Sequence, residues 1–232
     1  MIDLSNNNGA VDFEQVRQAG QYRVYLKRSE GADFADPRFT DYYNAARMVN
    51  CRVGCYHFAR PSQFTPLQEA TFFARLAPQL EPGQSLRHVI DLEDPLITPS
   101  PKVATWAHEF GSLVYEFTGS QYKIGLYGSP GYLEPCEFTK EQASVFEAVW
   151  IASYGRNDGK AYPFSVPAPW SLADVAAQQI TDTARIPGCG GPVDLSRVFT
   201  DGLDVPALHT SVLSKLSKTK DHQLELDQST WF

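Results

Sequence analysis

Segments rich in Val, Ile, Tyr and Phe, a composition typical of β-strands, recur along the first 130 residues of the chain. A helix is predicted between Ser100 and Gly119, because apolar residues recur there at steps of three and four. Regular alternation of strands and helices indicates parallel βα units that share one sheet. The five predicted strands lie at residues 1–5, 22–30, 52–58, 86–93 and 122–127.

Prolines and capping residues predict where several helices begin. Asp36-Pro37, Thr65-Pro66 and Ser100-Pro101 each place a good N-cap residue before a proline. Proline is favourable at the first helical position, because the N–H that it lacks would be unpaired there. The spacing of Thr65 with Gln68, and of Thr139 with Gln142, also predicts a capping box at each of these two starts.

The alternation of strands and helices stops after about Ala148, where loops rich in Gly and Pro replace the helices. Further strands are predicted at residues 148–154, 175–180 and 192–194, which brings the total to eight. The expected fold is therefore α/β, a TIM-like β/α barrel with eight strands and reduced helices in its last third. We assign residues 1–200 to the barrel and residues 201–232 to a C-terminal helix, from Leu203 to Leu216, and a tail of unknown role.

Composition and charge exclude several classes of protein. The chain has 232 residues, of which 43% are hydrophobic and 20% charged, as in ordinary globular proteins. Its net charge of -7 and the lack of a basic block argue against nucleic-acid binding. No apolar run reaches the roughly 18 residues of a membrane span, so no membrane insertion is expected. The four cysteines form no CxxC pair, so we expect free thiols and no metal or other cofactor.

Polar or aromatic residues stand at nearly every predicted strand end. Catalytic groups of β/α barrels lie at the carboxyl ends of the strands, so this ring predicts a shared cavity. His57 follows apolar strand residues, and we expect it to be structural. The strand-end residues are Asp3, Glu30, Tyr56 with His57, Asp91 with Glu93, Tyr127, Tyr154, Gln178 with Gln179, and Asp194.

The segment Val89-Ile90-Asp91-Leu92-Glu93 carries the most specific chemistry. Strand side chains alternate, so Asp91 and Glu93 point to the same face with Cα atoms roughly 6.5 to 7 Å apart. Two carboxylates this close in a partly dry cleft do not both ionise easily, and one becomes a general acid beside a negative partner. Glycoside hydrolysis requires that pairing. Ordinary loop carboxylates would give the same motif.

A longer motif begins with Asp3-Leu4, Asn8-Gly9 and Gly20, followed at fixed spacing by the run Tyr25-Leu26-Lys27-Arg28-Ser29-Glu30-Gly31. This pattern shows a resemblance to glycoside hydrolase family 25, the Chalaropsis-type muramidases that include many phage endolysins. It covers about residues 1–200. It continues through Tyr56-His57-Phe58, Asp91-Leu92-Glu93, Trp150-Ile151-Ala152-Ser153-Tyr154, Pro187-Gly188 and Val193-Asp194.

This resemblance implies cleavage of the β-1,4 bond between N-acetylmuramic acid and N-acetylglucosamine in bacterial peptidoglycan. It implies Glu93 as general acid and Asp91 as the carboxylate that assists it. Asp3 and Asp194 match the two remaining active-site acids, on the first and last strands. The substrate-binding residues that it implies, or that lie at the barrel mouth, are Tyr56, Tyr127, Tyr154, Lys27 and Glu30.

One departure from the family pattern stands out. The family usually has Trp-Gln-Tyr-Thr where this chain has Gln178-Gln179-Ile180-Thr181, and the loss of both aromatic residues predicts a changed wall of the substrate groove.

Lys27 and Glu30 have an alternative to substrate binding. They would then form only an ion pair at the barrel mouth.

Three other functions fit parts of the pattern. A chitinase-like barrel also uses an Asp-x-Glu strand end, but Val89 stands where its further Asp is expected. A divalent-metal hydrolase would use the four acids as oxygen ligands. A non-catalytic wall-binding or virion structural module would keep the barrel and bind sugar without cleaving it.

The start of the chain, Met1-Ile2-Asp3-Leu4-Ser5, lacks the basic and apolar regions of a signal peptide. With the family resemblance, this predicts a phage lysin made in the host cytoplasm. It would reach the cell wall through a holin or inside a virion. The C-terminal tail would either pack on the barrel or join another virion protein.

Overall fold

The computed structural model describes residues 1–119 and 121–207. Nine strands form a single sheet within these residues. They are β1 Ile2–Leu4, β2 Arg23–Glu30, β3 Phe34–Ala35, β4 Arg52–Phe58, β5 Val89–Asp91, β6 Ile124–Gly128, β7 Phe146–Ala152, β8 Val175–Ala184 and β9 Val193–Val198.

Eight of these strands close into a barrel. Their order is β1-β9-β8-β7-β6-β5-β4-β2, and a parallel pairing of β1 with β2 completes the ring. The short β3 pairs only with the end of β2. The predicted TIM-like barrel of eight strands is therefore confirmed, and all eight predicted strand regions contribute to it.

The last strand runs against the others. β9 is antiparallel to both of its neighbours, β8 and β1. Only residues 185–192 connect β8 to β9. A parallel return would need a crossover of a dozen or more residues, usually a helix, whereas a short loop suffices for an antiparallel return. The last strand is therefore reversed because no helix connects it to β8 within residues 185–192.

Helices cover the first two thirds of the barrel. In the part of the chain that the structure describes, α-helices precede β7, and only the 3-10 turn Leu172–Asp174 follows it. None of these helices is both long and apolar enough to cross a membrane. The helices are α1 Phe13–Gln18, α2 Phe39–Met48, α3 Pro66–Leu76, α4 Pro101–Phe117, α5 Pro130–Leu133 and α6 Lys140–Ala143, with 3-10 turns at Asn6–Asn8 and Glu134–Cys136.

Most predicted helix starts are confirmed. Thr65 with Gln68 and Thr139 with Gln142 form capping boxes, and α4 begins at Pro101. The start at Asp36-Pro37 was wrong, because α2 begins at Phe39. The Asp36 carboxylate instead accepts hydrogen bonds from the backbone N–H groups of Asn6 (2.8 Å) and Arg38 (2.8 Å), so it joins the loop after β1 to this turn.

Residues 201–207, which the sequence assigned to the tail, close the amino-terminal end of the barrel. Leu203 is buried against Gly125, where an added Cβ would lie 2.6 Å from the leucine Cδ2. Asp204 accepts two hydrogen bonds from Arg23 (3.1 and 2.9 Å) and one from Arg52. The predicted helix therefore does not begin at Leu203, since residues 203–207 are not helical. Residues 208–232 lie outside the described part of the chain.

Candidate active site

A cleft of about 260 Å³ opens at the carboxyl ends of the parallel strands. Eight of the nine predicted site residues line it, so the structure brings together side chains from β1, β2, β4, β5, β6 and β9 and from the end of β7. They are Asp3, Lys27, Tyr56, Asp91, Glu93, Tyr127, Tyr154 and Asp194.

Alternation along the strands explains which side chains reach the cleft. Tyr56 and Phe58 of β4 line it, while His57 between them is fully buried on the helix side. Asp91 ends β5, and Glu93 lies two residues further, beyond the strand. Leu92 between them is packed in the core under the helices. The predicted common face of Asp91 and Glu93 is therefore present.

The environment of Glu93 suits a general acid. Burial, followed by the nearby charge of Asp194, raises the pKa of Glu93 to about 7. Burial and the neighbouring Glu93 and Asp3 raise the pKa of Asp91 well above its usual range. Lys27 is the opposing charge for both carboxyl groups and favours their ionised forms. A carboxyl group that is still protonated near neutral pH can donate a proton to a leaving oxygen.

One oxygen of Asp91 is free to receive a ligand. Its Oδ1 is buried and has no hydrogen-bond partner among the described residues. An unpaired buried acceptor is costly, so its place in the cleft indicates a donor on the bound substrate or an ordered water.

Asp3 and Asp194 form a second carboxyl pair. They lie directly opposite each other in the antiparallel ladder of β1 and β9. Their side chains are hydrogen-bonded to each other. Burial raises the pKa of both, and for Asp3 the charge of Asp194 raises it further. Two carboxyl groups in contact share one proton, so the pair carries about one negative charge at neutral pH.

Gln179 stood among the predicted strand-end residues, but no role in the site was predicted for it. The Tyr127 and Tyr154 hydroxyl groups donate to its Oε1 at 2.7 and 2.6 Å, and its Nε2 donates to Asp3 Oδ2 at 3.0 Å. Its position at a strand end was the available signal, but the same signal marked Gln178. The other lining residues that were not predicted are Ser5, Asn7, Phe58, Val89 and Trp150.

Glu30 is the predicted site residue that does not line the cleft. Its carboxylate accepts hydrogen bonds from Lys27 Nζ (2.5 Å) and Arg60 Nε (2.8 Å). Arg60 also bonds to Asp94 at 3.3 Å. Glu30 therefore holds Lys27 in place beside the cleft, which matches the alternative of an ion pair at the barrel mouth. Arg60 was missed because only the tertiary structure brings it to Glu30.

His57 has the structural role that the sequence predicted. Its Nδ1 lies 2.9 Å from Ser29 Oγ, and its Nε2 lies 2.6 Å from Glu69 Oε2. All three side chains are fully buried, and His57 stacks on Phe110. Burial lowers the pKa of His57 to about 3 and raises that of Glu69 to about 8, so the pair is neutral and Glu69 supplies the shared proton.

No set of three or more His, Cys, Asp and Glu side chains is arranged to hold a metal ion within residues 1–119 and 121–207. Cys51, Cys55 and Cys136 are buried free thiols, and Cys189 is half-buried.

Comparison with known protein families shows to which family this chain belongs. The profile of Glycosyl hydrolases family 25 matches residues 2–189, most of the chain. The chain belongs to glycosyl hydrolase family 25. It is 25% identical over 206 residues to Lysozyme M1 of Streptomyces globisporus. It is 26% identical over 202 residues to the autolytic lysozyme of Clostridium acetobutylicum.

These two matches cover 84% and 87% of this family 25 chain. They span 66% of the length of the Streptomyces enzyme and 56% of the length of the Clostridium enzyme.

Solved structures share the fold. The bacterial lysozyme of Streptomyces coelicolor superposes with a TM-score of 0.76 at 24% identity, covering 86% of this chain and 91% of the other. The catalytic domain of an endolysin from bacteriophage P40 of Listeria monocytogenes gives 0.69 at 20% identity, covering 87% and 93%.

The departure from the family pattern lies outside the cleft. Gln178 and Ile180, which replace the family aromatics, do not line it, because alternation along β8 turns both away from Gln179. Gln178 Nε2 donates to the backbone oxygens of Ser153 (2.8 Å) and Tyr162 (3.0 Å). The expectation of a changed groove wall was therefore wrong. Gln178 instead holds the loop that follows Tyr154.

Proposed function

We propose that this family 25 protein is a peptidoglycan N-acetylmuramidase, a lysozyme. It would hydrolyse the β-1,4 bond between N-acetylmuramic acid and N-acetylglucosamine. The observation that carries the proposal is the pairing of Glu93, protonated near neutral pH, with Asp91 in one cleft at the barrel mouth. The relatives named lysozymes support the same activity.

In the first step, Glu93 donates its proton to the glycosidic oxygen. The bond from this oxygen to C1 of muramic acid breaks, and the N-acetylglucosamine side leaves as an alcohol. Positive charge develops on the ring, and the negative charge of the Asp3–Asp194 pair stabilises it.

The carbonyl oxygen of the substrate's own N-acetyl group then bonds to C1, as in other substrate-assisted glycosidases. The free Oδ1 of Asp91 accepts the acetamido N–H, which orients the group and stabilises its positive charge. In the second step, water attacks C1, the ring formed by the acetamido group opens, and the Glu93 carboxylate takes the proton of the water. The anomeric configuration is retained. Tyr56, Tyr127, Tyr154 and Lys27 contact the sugars along the cleft.

Digestion of purified peptidoglycan tests the reaction class. After borohydride reduction of the fragments, mass spectrometry should find reduced muramic acid at the new ends. The Glu93→Gln variant should release about 10²- to 10⁴-fold less of these fragments. Reduced glucosamine at the ends would mean a glucosaminidase, and binding without new reducing ends would mean a non-catalytic wall-binding module. A product of inverted configuration by NMR would refute participation of the acetamido group.

We further propose that the enzyme is a phage lysin, made in the cytoplasm of a bacterial host and delivered to the wall by a holin or in the virion. Endolysins within the family, and the shared fold of the Listeria phage enzyme, support this origin. The C-terminal tail, residues 218–232, would provide the contact to a virion protein. Mass spectrometry of purified virions and of the cleared lysate tests the proposal: presence in virions indicates a virion-borne lysin, presence in the lysate alone indicates a free endolysin, and absence from both overturns a phage role.

A further inference from the structure

The carboxamide of Gln179 is held at both ends. It is buried, and its Oε1 accepts the hydroxyl protons of Tyr127 (2.7 Å) and Tyr154 (2.6 Å). A phenol hydroxyl group can both donate and accept, so the three partners of the amide together set its orientation. With the two hydroxyl groups donating to Oε1, Nε2 points away from them and towards Asp3.

The fixed orientation directs an N–H group at Asp3. Gln179 Nε2 donates to Asp3 Oδ2 at 3.0 Å. A donor that faces a carboxyl oxygen favours the ionised form of the group. The effect opposes burial, which favours the neutral form of Asp3. A flipped amide would instead present its oxygen, which would favour a protonated Asp3.

The charge of the Asp3–Asp194 pair matters because many acidic and phenolic groups surround these two carboxyl groups. Lys27 is the only cationic side chain that lines the cleft among the described residues, and it is already bonded to Glu30. The titratable groups that face or influence the pair are the Met1 amino group, Lys27, Tyr56, Asp91, Glu93, Tyr127, Tyr154 and Asp182.

We propose that Gln179 is a positioning residue: its carboxamide, oriented by the hydroxyl groups of Tyr127 and Tyr154, keeps one negative charge on the Asp3–Asp194 pair during catalysis. The proposal rests on the muramidase function, because that charge stabilises the positive ring of the sugar. Gln179 acts through Asp3 and needs no contact with substrate for this role.

The pH profile of kcat/KM for muropeptide release tests the proposal. In Gln179→Met, which keeps the size of the side chain and loses its hydrogen bonds, Asp3 loses its donor and the pair takes up its second proton more readily. The acid limb should move to higher pH by about one pH unit. The alkaline limb belongs to Glu93 and should stay where it is. A uniform loss of kcat/KM with both limbs unmoved would overturn the proposal.

Gln178→Met is the matched control. Gln178 is the neighbouring residue of the same type, equally buried, and its Nε2 bonds to the backbone on the other side of β8. This variant should lower the melting temperature and leave both limbs unmoved. An acid limb that moves as far in Gln178→Met as in Gln179→Met would refute a specific role of Gln179.

The tyrosines provide an independent variant if Gln179→Met does not fold. Each single change, Tyr127→Phe or Tyr154→Phe, leaves one hydroxyl group to orient the amide, so the acid limb should not move. The double variant frees the amide to turn its oxygen to Asp3, and the acid limb should move as in Gln179→Met. An unmoved limb in the double variant would contradict the orienting role.

NMR titration of protein labelled with ¹³C at the Asp carboxyl carbons separates this inference from the proposed function. The lower titration midpoint of the Asp3–Asp194 pair should rise in Gln179→Met whether or not the protein cleaves peptidoglycan. A raised midpoint in a protein that releases no fragments would refute the muramidase and leave the charge role in place. An unchanged midpoint in an active enzyme would refute only the role of Gln179.

Discussion

The Glu93→Gln variant is expected to unfold at a higher temperature than the unchanged protein at alkaline pH, while losing its activity. In the folded state the pKa of Glu93 is raised to about 7, from an ordinary value of 4.5. The folded protein therefore binds the Glu93 proton more tightly than the unfolded chain does. The favourable contribution of this group is complete below pH 4.5 and is lost as the pH rises through 7. Glutamine stays neutral at every pH, so the variant avoids the loss of stability that ionisation of the buried Glu93 causes.

The size of the effect follows from the shift. A difference of about 2.5 pH units corresponds to about 3 kcal/mol between the two protonation states. The charge of Asp194 contributes to the shift, so part of the gain depends on the state of that neighbour. A gain of about 2 to 3 kcal/mol raises the melting temperature of a domain of this size by roughly 4 to 12 °C. At pH 4 the difference should vanish.

Calorimetric melting of both proteins at pH 4, 6 and 8.5 measures this dependence. Glu109→Gln, an exposed position on α4, is the control and should show no such trend. A Glu93→Gln difference that is the same at pH 4 and pH 8.5 would show that Glu93 does not carry the raised pKa on which the proposed acid role depends. Activity should fall by about 10²- to 10⁴-fold.

Three further outcomes are expected. Muropeptide release by the unchanged enzyme should fall above about pH 7, as Glu93 loses its proton; constant kcat/KM up to pH 9 would contradict this. Glu69→Leu should lower the free energy of unfolding in urea by about 2 to 4 kcal/mol, because His57 Nε2 and the Arg60 N–H lose their partner. Glu69→Gln should lower it by less than about 1 kcal/mol. Equal losses in the two variants would disprove the hydrogen-bonding role of Glu69. Leu203→Ala should cost about 2 to 5 kcal/mol and leave kcat/KM at 25 °C unchanged, since Leu203 packs at the end of the barrel opposite the cleft; an undiminished melting temperature would argue against its packing role.

The sequence by itself determined the eight strands of the barrel and the strand ends at which the acids stand. Hydrophobic periodicity is a local property, so each strand could be recognised without its neighbours. Asp91 and Glu93 share a face because strand side chains alternate, whatever the rest of the chain does. The family motif then gave roles to Asp3 and Asp194, on the first and last strands, which meet when the barrel closes.

The tertiary structure alone decided the direction of β9, the closure of the barrel by Leu203, and the partners of Glu30 and Gln179. Parallel and antiparallel strands have similar local patterns, so direction follows from the connection between them. Gln178 and Gln179 are the same residue type at one strand end, and only the placement of β8 in the barrel separates them. One holds a loop by its backbone, whereas the other meets Asp3, 176 residues away along the chain. Such contacts depend on closure of the barrel, which no local pattern of residues encodes.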